Sequence, residues 1–136
     1  MYSIIIATLL IALASIGLSF LDYTKIINDV VIEKADKAKR GVIVLLVNIG
    51  LSVILSVNYN TSIVFGALYL HTIYWTVFDA SLNLFRKKSI LYTSNNNRDD
   101  NDSIFDKIFN FLPNPYSGVV QIIVKMVLVL FLLTHI

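Results

Sequence analysis

Apolar residues in this chain fall into four long blocks, at about 2–21, 41–58, 61–85 and 116–136, with polar stretches between them. A water-soluble helix or strand alternates core-facing and solvent-facing positions. These blocks instead carry apolar side chains on every side. Crossing a bilayer takes roughly 20 mostly apolar residues, within a range of about 17–25. All four blocks reach that length, the second only just. The pattern predicts an all-α chain: a single membrane domain over residues 1–136, built as an integral membrane bundle of four transmembrane helices. Cytoplasmic amphipathic helical segments are expected in the loops 22–40 and 86–115.

Both loops carry structure signals. In the first, Ile26, Ile27, Val30 and Val31 recur at helical spacing with charges on the other face. The first helix is expected to continue as a stalk or to bend into the interface, with Gly41 breaking the chain before the second helix. The charges there alternate in sign, the pattern of a solvated helix face. The second loop contains an Asn-, Asp- and Ser-rich stretch at 92–103, read as a turn-rich linker. Its Asp99, Asp100 and Asp102 lack the glycine and distal glutamate of an EF-hand calcium loop. After it, Ile104, Phe105, Ile108, Phe109 and Leu112 make one apolar face, with Asp102 or Ser103 as N-cap and Pro113 and Pro115 as the stop. That short helix is expected to lie along the membrane interface.

Composition strengthens the membrane reading: 57% of the residues are hydrophobic and 15% charged, against about 45–50% and 25% for a soluble domain. Charge distribution adds an orientation. Of the 11 Lys and Arg residues, Lys25, Lys34, Lys37, Lys39 and Arg40 lie in the first long loop. Arg86, Lys87, Lys88, Arg98 and Lys107 lie in the second, and Lys125 alone lies inside a block. The positive-inside bias puts both long loops in the cytoplasm and both termini outside. Tyr2, Tyr59, Tyr92 and Tyr116 fall near the predicted boundaries, where amphipathic rings prefer to sit. The first block has no basic residue before it and is too long for a signal-peptide core, so it reads as a retained helix. A net charge of +2 gives no reason to expect nucleic-acid binding. The absence of cysteine excludes disulfides, thiolate metal sites and a cysteine nucleophile.

The third block holds the chemistry. His71, Trp75, Asp79 and Asn83 recur every four residues, a slowly turning polar stripe in an apolar helix. An ionised side chain at mid-bilayer costs about 2.5–3.5 kcal/mol on insertion scales, so Asp79 needs a partner. Lys125 is the candidate. Asp79 lies seven residues before Arg86 and Lys125 nine after Tyr116, depths of roughly 10 and 13 Å from one membrane face. The lysine stem covers the difference. An Asp79–Lys125 contact between the third and fourth helices is therefore expected, joined by Gln121 and completed by Asn83. His71, near mid-membrane, reads as hydrogen-bonded packing, and Asn48, with Gly50, Ser52 and Ser56, as a close helix contact. Ser15 and Ser19 repeat the small-xxx-small spacing of packed membrane helices. No phosphate-binding loop, zinc motif or nucleophile elbow occurs. No catalytic, cofactor-binding or metal-binding residue is assigned.

The pattern His71-x3-Trp75-x2-Phe78-Asp79-x3-Asn83-x2-Arg86, followed by Leu91-Tyr92 and a later aspartate before an aromatic amphipathic segment, resembles that of small multi-pass membrane proteins of Bacteroidetes and their phages. It covers the central third of the chain; Lys87 and Thr93 stand where that group has glycine. The resemblance implies a bacterial or phage-associated membrane and no particular mechanism. The expected function is non-enzymatic: a structural, assembly or partner-scaffolding role. The alternative is an oligomeric, holin-like pore. A lipid-modifying enzyme using His71 and Asp79 would need more ionisable groups near a headgroup plane than the chain offers. The expected partners are the lipid bilayer and either a second copy or another membrane or virion protein.

Overall fold

The four apolar blocks form four helices: α1 (Tyr2–Ile27), α2 (Lys34–Tyr59), α3 (Ile63–Phe85) and α4 (Tyr116–Leu133). The structure is a computed structural model, and it describes residues 2–28, 34–92, 112 and 116–136. Helices of 26, 26, 23 and 18 residues are about 39, 39, 35 and 27 Å long, against a hydrocarbon layer of about 30 Å. All four are long and apolar enough to cross a membrane. Of the expected interfacial helix after residue 102 only Leu112 is among the described residues; the Asp99–Asp100–Asp102 cluster and Val30 and Val31 of the expected stalk lie outside them.

The α1 end agrees with the stalk expectation, while the start of α2 differs from the expected break at Gly41. α1 runs on to Ile27, and α2 begins at Lys34 and passes through Gly41 unbroken. The reason lies in the seven residues before that glycine, Lys34-Ala35-Asp36-Lys37-Ala38-Lys39-Arg40. Alanine, lysine and arginine are strong helix formers, and an acid in the first turn suits the helix dipole. One glycine, at about 1 kcal/mol relative to alanine, does not outweigh that run.

α3 is the centre of the assembly. α1, α2 and α4 each pack against it; α1 and α2 touch lightly, and among the described helices α4 packs against α3. The apolar core along this axis contains Ile11 of α1, Val44 and Leu55 of α2, Leu70, Tyr74 and Phe78 of α3, and Leu132 of α4. Around it the usual burial order is inverted. Ser15, Ser19, Asn48, Ser52 and Ser117 are fully buried, whereas Leu46, Ile54, Leu130 and many other large apolar side chains point outwards.

Small residues set the helix spacing. At one end of the α2–α3 pair, the Ser52 hydroxyl donates to the Ile63 carbonyl at 2.5 Å. A Cβ on Gly66 would run into that Ser52 side chain. The turn between these helices is short because Asn60 takes a left-handed conformation, φ 55°, which asparagine tolerates better than most residues. Ser15 and Ser19 donate to Ile11 and Ile16 carbonyls of their own helix, so their small-xxx-small spacing serves close packing.

Candidate functional site

The turn after α3 organises one end of the site. α3 ends in a Schellman motif: Lys88 N–H bonds the Asn83 carbonyl and Lys87 N–H the Leu84 carbonyl, both at 2.9 Å. Lys87 sits in the left-handed region, φ 54°, at the position where such caps usually have glycine. Its Cβ makes that conformation cost about 1 kcal/mol. The chain folds back, with Tyr92 N–H on the Ser89 carbonyl. The Asn83 amide clamps the returning strand by donating to the Tyr92 carbonyl at 2.8 Å and the Ile90 carbonyl at 3.4 Å. Two cations lie near the Tyr92 ring, Lys88 Nζ at 3.6 Å and the Arg86 guanidinium at 5.9 Å. The folded-back segment then rests on α4 at Gly118, where a Cβ would collide with the Leu91 backbone.

One helical turn deeper, α3 and α4 exchange charge. The Lys125 ammonium donates to the Asp79 carboxylate at 2.6 Å, and its other side faces the Trp75 ring at 4.0 Å. Lys125 is 3% exposed, while the Asp79 side chain is 40% exposed. A cavity lies beside them. About 140 Å³ in volume, it is lined by Asp79, Asn83, Arg86, Tyr92, Gln121 and Lys125 among others. Gln121 is buried in its wall one turn before Lys125.

The expected Asp79–Lys125 contact is therefore present, and Gln121 shares its cavity. Asn83 differs from expectation: its amide holds loop carbonyls, while it also lines the cavity. His71 and Asn48 meet each other, with the Asn48 amide nitrogen 3.3 Å from His71 Nδ1. The buried Asn48 carbonyl oxygen accepts no hydrogen bond among the described residues. Helical geometry accounts for the division of the stripe. Residues four apart rotate by about 40°, so the two steps from His71 to Asp79 turn the stripe by about 80°. His71 thus faces α2, and Trp75 and Asp79 face α4.

A second ion pair was not foreseen. Arg40 of α2 pairs with Asp22 of α1, and its guanidinium lies 4.8 Å from the Phe78 ring of α3. One residue therefore joins three helices. Phe20, Tyr23 and Phe85 close the same end, with Phe20–Phe85 and Tyr23–Phe85 ring distances of 5.5 and 5.9 Å. The alternating charges suggested a solvated face. The informative signal was position: Asp22 is the first acid after block one and Arg40 the last base before block two, so the two bracket one hairpin.

His135, at the opposite end, stacks on Phe65 at 5.0 Å and so links the end of α4 to the start of α3. Among the described residues no three His, Asp or Glu side chains cluster as a metal site requires. Comparison with protein-family models, with curated proteins and with solved structures returned no match.

Proposed function

We propose that the chain is a non-enzymatic integral membrane protein with a structural or assembly role, its four helices spanning a bacterial inner membrane or a phage-associated membrane and its two long loops cytoplasmic. The inverted burial supports insertion. Lipid accepts outward Leu and Ile and cannot satisfy polar groups, so buried polar side chains must find one another.

The observation that carries the structural reading is where those groups are used. Asp22 with Arg40, Asp79 with Lys125, Asn48 with His71, Thr8 with Tyr69 and Ser52 with the Ile63 carbonyl all join different helices. Asp22, Arg40, Asp79 and Lys125 are each engaged across a helix–helix contact. The bacterial or phage-associated setting rests on the resemblance of residues 71–92.

Reconstitution into liposomes tests this against the pore reading. Ion flux is expected to equal that of protein-free vesicles. Flux that vanishes with His71→Ala, in a variant that keeps its helix content and thermal transition, would establish a pore.

A further inference from the structure

The cavity between α3 and α4 has two charged ends. At the deep end stands the Asp79 carboxylate, 40% exposed although bonded to Lys125. Lys125, its side chain 4% exposed, is nearly sealed behind it, so an entering molecule meets the acid more than the amine. At the mouth stands Arg86, the C-cap of α3. No carboxylate among the described residues lies within ion-pair distance of Arg86. Asp79 and Arg86 are seven residues apart on one helix, about 10 Å along its axis. Asn83 and Gln121 line the wall between them with neutral amides. The volume of about 140 Å³ is well above the roughly 10–15 Å³ that one water requires.

An anion alone would meet Asp79, and a cation alone would meet Arg86 with Lys87 and Lys88 beside it. A molecule carrying both charges at opposite ends matches both. We propose that this cavity binds a phosphoethanolamine group, with its ammonium on Asp79 and its phosphate on Arg86. Guanidinium is the side chain best shaped for bidentate contact with phosphate. The ammonium supplies N–H donors to an acid already oriented by Lys125. The group can arrive as the free zwitterion from the loop side or as the headgroup of phosphatidylethanolamine from the surrounding leaflet. The inference rests on the membrane reading above.

Trp75 makes the test direct. It is the only tryptophan in the chain and touches Lys125, so its fluorescence reports on the site. The protein is incorporated into phosphatidylcholine nanodiscs, whose headgroup has no N–H donor, and titrated with free phosphoethanolamine. A saturable change in Trp75 emission is expected. Arg86→Gln leaves the Asp79–Lys125 pair intact and is expected to weaken binding about tenfold, the worth of one charge-assisted contact. Inorganic phosphate and ethanolamine, each offering half the contacts, are expected to bind more weakly than the joined molecule. If discs containing phosphatidylethanolamine already show the shifted emission and no longer respond to the free compound, the lipid is the ligand. If they still respond, the soluble zwitterion is. Incorporated protein with no response in either disc, or a response untouched by Arg86→Gln, overturns the site alone. Protein that fails to enter the discs and stays soluble overturns the membrane reading and the site together.

Discussion

Asp79→Asn is expected to destabilise the protein in detergent more than Lys125→Met, although both remove the same ion pair. The two partners are buried unequally. Asparagine at 79 leaves an ammonium that is 3% exposed with an amide where its carboxylate was. Breaking a buried pair in this way costs about 3–5 kcal/mol, and the 40% exposure of the Asp79 side chain puts the loss at about 2–3 kcal/mol. Methionine at 125 keeps the stem volume and removes the buried charge. It leaves Asp79 facing a polar cavity, at a cost of about 1 kcal/mol. The double variant, with neither charge, is expected to lie within about 1 kcal/mol of the parent, because a buried pair replaced by groups of similar volume is often close to neutral. Equilibrium unfolding of all four proteins in mixed micelles gives the coupling energy. Additive losses, or a larger loss from Lys125→Met, would contradict the contact or its burial order.

Gly118→Ala is the second large effect, and its sign is set by space. Alanine improves helix propensity by about 1 kcal/mol over glycine. At Gly118, however, the new methyl would meet the Leu91 carbonyl and Cα. Main chain cannot rotate aside, so α4 or the folded-back segment must move. Overpacking of this kind costs about 1–3 kcal/mol; the upper half of that range is expected, because Asn83 also holds the segment from below. Gly41 and Gly50 provide the internal control. Both lie within α2 with open space where a Cβ would go, so Gly41→Ala and Gly50→Ala are expected to raise the thermal midpoint slightly. A Gly118→Ala protein as stable as these two would mean that the 86–92 segment does not rest on α4.

Which features were legible follows from how each is encoded. Helix positions were, because length and hydropathy set them locally. The Asp79–Lys125 contact was, because two depths counted from the same end, roughly 10 and 13 Å, coincide and the block holds no other base. The Asn83 contacts were not. Its partners are main-chain carbonyls of a turn whose course depends on Lys87 adopting a left-handed conformation, and lysine gives no signal for that. The Leu91–Gly118 approach was hidden for a related reason: its two sides are a backbone atom and an absent side chain. Asp22–Arg40 could have been read by asking which opposite charges bracket a hairpin. Gly41 misled because a local breaker was weighed without the strong helix formers before it. The His71–Asn48 contact needed only the turn of about 80° between His71 and Asp79 to separate it from the Asp79 contact.

The central claim is that the four helices cross a bilayer and leave both long loops on one side. The chain has no cysteine, so every introduced thiol is unique. Ser3→Cys, Ser62→Cys and Thr134→Cys lie at one set of helix ends, and Lys39→Cys and Ser89→Cys at the other. In spheroplasts, a membrane-impermeant maleimide is expected to label the first three, and to reach the last two only after permeabilisation. Labelling of positions 39 and 62 from the same side, or all five thiols reacting in protein recovered from the soluble fraction, would contradict the account.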